Sequence, residues 1–156
     1  MFKSLTGVQM THVPYRGTVP ALNDVIAGHI PLLFSDPPPA LPQIAAGKVR
    51  AIGVTTAKRI ASLPDVPPIG DTVKGFDTAP WQMLMAPAGT PRPIIDRLHS
   101  EIVRYIASPE GRNKLVNEMG LIPGAPTSPD ELATFVAQEV EDWGKLVRLA
   151  GAAGIE

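Results

Sequence analysis

The segment His12-Val13-Pro14-Tyr15-Arg16-Gly17-Thr18 places a phenol, a guanidinium, a hydroxyl and a glycine turn next to one another. That combination suits the capture of an anion, above all a carboxylate. The turn stands where a strand candidate ends and a helix candidate begins. A helix N-terminus leaves backbone N–H groups unpaired and carries partial positive charge. Gly17 would let the main chain approach a ligand closely, and a side chain there would block that approach more than it disturbs the fold. Phe34-Ser35-Asp36 closes the next strand candidate and would share the same rim, because ligands of parallel sheets sit at the carboxyl ends of the strands. The same residues also suit a plain strand-to-helix turn with no ligand.

Signals for bond-making chemistry are missing from the sequence. His12, His29 and His99 are scattered, with no i, i+4 pair and no HExxH. No GxSxG elbow or Gly-rich phosphate loop occurs. The cysteine count is 0, which excludes disulfides, thiolate catalysis and cysteine-ligated metal.

The elements that must position the turn read as β-α-β-α-β. Strands are expected at residues 8–15, 30–34 and 49–55, and helices at 19–27 and 41–46. Pro20 fits the first turn of the first helix, and Gly28 and Gly47 stand where the two helices should stop. The prolines at 37–39 are read as the end of a strand. Short connections in this order favour parallel pairing through right-handed crossovers. Residues 57–78 read as a surface loop, and 81–86 (WQMLMA) as a fourth strand.

The second half is helical. Thr90-Pro91, Ser108-Pro109 and Ser128-Pro129 each set a hydroxyl before a proline, the pattern of an N-cap followed by N1. Ser128 and Glu131 have the spacing of a capping box. Ile94, Ile95, Leu98, Ile102 and Ile106 form one apolar stripe, and Leu132, Phe135, Val136, Val140, Trp143 and Val147 another. Both stripes are expected to be core contacts. The second helix is expected to run to about Met119 and stop at Gly120.

The 156 residues suffice for one domain or two small lobes. The net charge of −1, from 14 basic and 15 acidic groups, argues against a general nucleic-acid binder. Pro 18 and Gly 14 imply many short elements rather than a helical bundle. No apolar run is long enough to span a membrane, and Met1-Phe2-Lys3-Ser4 does not begin a signal peptide.

Several segments occur together in a specific order: HVPYRG, ALNDVIAGHIPLLF, LPQIAAGKVRAIGVTT, KRIASLPDVPPIGD and GFDTAPWQMLMAPAGTP, then an acidic helix bearing Trp143. This set resembles the substrate-binding receptors of tripartite tricarboxylate transporters, the Bug receptors, and more narrowly their C-terminal half. The resemblance implies an α/β fold, a periplasmic-binding-protein-like lobe with a short, mostly parallel sheet. A helical segment follows that would pack on the missing first lobe. Residues 1–77 would form the second-lobe ligand-binding region, 78–90 the crossover strand and linker, and 91–156 the helices belonging to the first lobe. It implies a periplasmic receptor rather than an enzyme, with no cofactor and no metal. Its partners would be a small carboxylate and the membrane components of a tripartite transporter. Carried over residue by residue, the ligand loops would be Tyr15, Arg16, Gly17 and Thr18 with Pro20 and Ala21 at the helix entry, and Phe34, Ser35 and Asp36. In such receptors backbone groups and waters are expected to hold the carboxylates, and Asp36 would accept from a ligand amine or hydroxyl. An α/β enzyme, or a fragment that self-associates through the surface left by the missing lobe, are the alternatives.

Overall fold

A computed structural model describes residues 1–124 and 127–149. Six α-helices follow one another among these residues. They are α1 (Phe2–Thr6), α2 (Thr18–Ile26), α3 (Pro37–Ala45), α4 (Arg92–Ala107), α5 (Pro109–Arg112) and α6 (Pro129–Leu149). A 3-10 turn covers Ile69–Asp71, and α5 widens into π-type turns over Asn113–Glu118.

Among the described residues no strand forms. Among the described residues an isolated parallel bridge joins Val54 and Pro68, carried by Val54 N–H to Pro67 O and Ile69 N–H to Val54 O at 2.9 Å each, and beside it Thr78 N–H donates to Thr55 O at 3.0 Å. The strands expected at 8–15, 30–34, 49–55 and 81–86 therefore lack partners, and the short parallel sheet is not formed. The cause is the nature of the ladder: a strand's hydrogen bonds must be met by another strand. A helix closes its bonds within itself, which is why all of the regular structure here is helical.

Helix boundaries follow local chemistry. Helix α2 starts after Gly17, keeps Pro20 in its first turn and ends at Ala27, with Gly28 at φ 78°. Helix α3 begins at Pro37, four residues before the expected start at 41. Prolines at the head of a helix lack N–H groups that would have had no partner there, so the triplet starts the helix instead of only ending a strand. Ser108 caps α5 by accepting from Gly111 N–H at 3.0 Å. Ser128 and Glu131 form the capping box: Ser128 Oγ accepts from Glu131 N–H at 3.2 Å, and Glu131 Oε2 accepts from Ser128 N–H at 2.7 Å. Thr90 is not the cap of α4. Pro91 holds that position, and the Thr90 hydroxyl donates to Pro87 O at 2.8 Å.

The core is small. Ala21, Leu22, Ala40, Val54, Ile60 and Phe76 are buried, and the rings of Phe2, Phe34 and Phe76 lie 5.9 to 6.3 Å apart. The stripes expected to be core are only partly covered: α4 buries no residue, Ile95, Ile102, Ile106, Leu132 and Val136 are half-buried, and Ile94, Leu98, Phe135, Val140, Trp143 and Val147 are exposed. The total accessible surface is 11314 Å², whereas a compact monomer of 16.5 kDa would expose about 7,500 Å². Among the described residues nineteen large apolar side chains, Ile52, Leu84, Met85 and Val140 among them, are exposed.

Helices α4 and α6 are joined by polar contacts. Arg92 makes a bidentate pair with Asp130 at 2.9 and 3.0 Å, and His99 Nε2 lies 2.5 Å from Thr127 O. Trp81 stands edge-on to Phe135 at 5.5 Å, and its indole N–H donates to Glu139 at 2.6 Å.

Candidate functional site

The turn before α2 is set by Gly17, whose φ of 109° and ψ of 172° belong to a region used almost solely by glycine. The chain therefore reverses there and opens the head of α2, where Thr18 and Val19 have N–H groups without intrahelical partners. Pro20 is exposed at the helix entry, while Ala21 is buried and anchors the helix.

The second loop meets the first through side chains. Thr18 Oγ1 donates to Asp36 Oδ2 at 2.8 Å, which puts the two sequence-derived loops on one rim. Asp36 is the N-cap of α3, yet its carboxylate makes no capping bond. A cap needs the N–H of the second or third helical residue. Pro37, Pro38 and Pro39 have none, so the carboxylate turns to Thr18 instead. For the same reason the head of α3 has no N–H groups to offer an anion. The two helix heads on this rim thus differ chemically, α2 presenting donors and α3 an acceptor.

Tyr15 is half-buried, and its hydroxyl donates to Asp24 Oδ2 at 2.6 Å. The other oxygen of Asp24 lies 3.2 Å from His29 Nδ1. The hydrogen bond to Asp24 raises the Tyr15 pKa above its ordinary value, with burial and the nearby charge adding to it. In turn, the bonds from Tyr15 and His29 hold the Asp24 carboxyl below the usual range. Arg16 is exposed and makes no hydrogen bond or ion pair among the described residues. Phe34 belongs to the aromatic cluster with Phe2 and Phe76, although it is 49% exposed, and Ser35 Oγ donates to Asp36 O at 3.0 Å.

The structure therefore brings Tyr15, Arg16, Gly17, Thr18 and Asp36 together and gives Phe34 and Ser35 local bonding roles beside them. Sequence reasoning missed Asp24 and His29. Their spacing from Tyr15 follows no helical or strand period, so only the fold reveals them. The rim is open. Two surface depressions, of about 620 and 290 Å³, lie elsewhere, around Lys48–Val66 and around Ile60–Leu121. Among the described residues no group of three or more His, Cys, Asp or Glu could hold a metal ion, and no helix is long and apolar enough to cross a membrane.

The fold that these elements outline is that of a periplasmic binding protein. The periplasmic binding protein BugD superposes with a TM-score of 0.81 at 32% identity, over 97% of this chain and 51% of that one. MatC from Rhodopseudomonas palustris, solved with bound malate, gives 0.79 at 32% identity, over 94% of this chain and 50% of that one. A UPF0065 protein from the tcbD-tcbE intergenic region of a Pseudomonas species is 38% identical over 142 residues, covering 90% of this chain and 42% of the relative. The family model described as the tripartite tricarboxylate transporter family receptor matches residues 1–152, and the chain belongs to that family. It is a family of periplasmic solute-binding receptors and not of enzymes. The chain spans about half the length of the relatives it matches.

Proposed function

We propose that this chain supplies the second-lobe part of an extracytoplasmic receptor for a small carboxylate. The ligand is held at the α2 head, the lobes close on it, and the closed form is handed to the membrane components of a tripartite transporter. Residues 1–77 would form the ligand-binding region, 78–90 the crossover, and 91–156 the helices that pack on the first lobe. The segments 30–34, 49–55 and 81–86 would complete a short parallel sheet once strands of the complementary lobe lie beside them. The observation that carries the reading is the Thr18–Asp36 bond. It sets a donor-rich helix head next to a lone carboxylate acceptor on one rim. A ligand carboxylate is met by the donors of the α2 head while Asp36 holds Thr18 in place, and each charged hydrogen bond to the ligand contributes on the order of 1.5–3 kcal/mol. The family membership and the malate complex of MatC support the same class.

A second reading, an assembly module that pairs through its apolar faces, is favoured by the surface excess of about 3,800 Å². That is several times the ~800 Å² which one partner contributes to an ordinary interface. Thermal-shift titration with malate, aspartate, citrate and succinate separates the two. It would be run on the chain alone and with the N-terminal half of a relative added. A saturable rise in melting temperature with a carboxylate supports the receptor. No rise in either setting, together with a concentration-dependent mass, supports the assembly module and overturns the receptor reading.

A further inference from the structure

Both hydroxyls of the candidate ligand turn are already engaged. Tyr15 donates to Asp24 at 2.6 Å and Thr18 to Asp36 at 2.8 Å. These two bonds straddle Gly17, the joint at which the turn could swivel most freely. The Tyr15–Asp24 bond ties the chain two residues before that joint to the far half of α2. The Thr18–Asp36 bond ties the residue after it to the head of α3. Asp24 is itself held from two sides. His29 Nδ1 occupies its second oxygen at 3.2 Å, and its carbonyl accepts from the N–H groups of His29 and Ile30 at 2.9 and 3.4 Å. Asp36 is free for its task because three prolines leave it no N–H to cap. Two carboxylates beside an anion site would oppose the ligand if they faced it. Turned to hydroxyl donors, they act on the turn and not on the anion.

We propose that Asp24 and Asp36 are positioning residues that brace the ligand turn through Tyr15 and Thr18, leaving Arg16 and the main-chain N–H groups of the α2 head as the surface that meets the carboxylate. The inference rests on the receptor reading above and deepens it, because it assigns Tyr15 and Thr18 to holding the site and not to contacting the ligand. The raised pKa of Tyr15 and the lowered one of Asp24 agree with the geometry.

The test has a ligand-free arm and a ligand arm. In a Tyr105→Phe background Tyr15 is the single tyrosine, and its ring carbon can be followed by NMR through its ionisation. Tyr15 is expected to titrate above an ordinary tyrosine, and Asp24→Ala to bring it down. An unchanged titration overturns the brace whatever the ligand does. In the second arm malate is titrated calorimetrically into the chain and its variants. Tyr15→Phe and Asp24→Ala should each weaken malate about tenfold or more, and the double variant no further than the stronger single one. Thr18→Val and Asp36→Ala should behave the same way, with Thr18→Ser restoring affinity. Additive losses would mean that the hydroxyls touch the ligand, and would overturn the positioning role. If the parent chain binds no malate even with the N-terminal half of a relative added, that counts against the receptor reading, and the titration alone decides the brace.

Discussion

Gly17 is the point where the proposed ligand turn can be tested most directly, and alanine is the smallest perturbation. The space around it is open: a Cβ built there meets nothing within 4 Å. Steric contact therefore predicts no penalty. The backbone predicts one, because φ 109° with ψ 172° is nearly closed to L-residues and costs about 1–3 kcal/mol. For a chain of this length that corresponds to a fall in melting temperature of roughly 3–9 °C. The expectation that a side chain at Gly17 would affect ligand approach more than stability is thereby revised: stability should suffer first. Two controls isolate the cause. Gly144 lies within α6, where a Cβ would make an ordinary contact 3.5 Å from Arg148, so Gly144→Ala should stabilise by about 0.5–1 kcal/mol. D-alanine at position 17, introduced by semisynthesis, finds these angles in its own extended region and should preserve the glycine melting temperature. Differential scanning calorimetry of the three variants reads the result. If L- and D-alanine at position 17 melt together, backbone strain is not what makes Gly17 necessary.

Glu139 Oε2 accepts from both indoles, Trp81 at 2.6 Å and Trp143 at 2.9 Å, so Glu139→Ala should free the 81–86 segment from α6 and raise acrylamide quenching of indole emission; unchanged quenching would refute the clamp. Gly111→Ala should open the corner between α4 and α5 at a cost of about 3 kcal/mol or more, because its Cβ would fall 1.9 Å from the Tyr105 carbonyl oxygen, and a denaturation midpoint equal to that of the parent would show the corner to be pliable. The head of α6 should fray in acid. Bonds from the Ser128 N–H and hydroxyl lower the Glu131 pKa, and Arg92 lowers that of Asp130. A carboxylate with a depressed folded-state pKa contributes stability above its unfolded value and loses it as pH falls through the folded one. Helical ellipticity should therefore drop on acidification through the carboxylate range, and Glu131→Gln with Asp130→Asn should flatten that dependence.

What was legible in the sequence divides along the reach of the interactions. Ser108 and Ser128 were readable as caps because the groups that they satisfy lie within three residues. The start of α2 and its stop before Gly28 were readable for the same reason. The strand at 49–55 was readable as apolar and β-prone, but its ladder needs a partner that periodicity cannot name. Val54 and Thr55 find partners, because the 57–78 loop brings Pro67, Ile69 and Thr78 back to them. The candidate rim shows the same division. Tyr15, Arg16, Gly17, Thr18 and Asp36 stood out by type, whereas Asp24, which fixes the turn, belongs to an unremarkable position of an amphipathic helix. Asp36 was visible as an acidic loop residue, and the triplet of prolines after it was read as a strand terminator. Its structural consequence, a carboxylate with nothing to cap, emerges only when those prolines are seen to begin a helix.

The apolar stripes of α4 and α6 carry the same argument to the level of the whole fold. Their periodicity correctly gave helices, yet Val140 is 68% exposed and Ile94 50%. A stripe specifies that a face must be covered and not what covers it. Leu84 and Met85 of the 81–86 segment are also uncovered, at 69% and 71% exposed. At about 25 cal/mol per Å², even half of the ~3,800 Å² excess, if apolar, would be worth tens of kcal/mol on burial, far more than the 5–15 kcal/mol that separates folded from unfolded domains. Covering that excess would therefore add hydrophobic stabilisation that the chain does not realise by itself. The turn at residues 15–18 differs in kind: its side-chain hydrogen bonds close within residues 15–36, so they need no covering surface from outside.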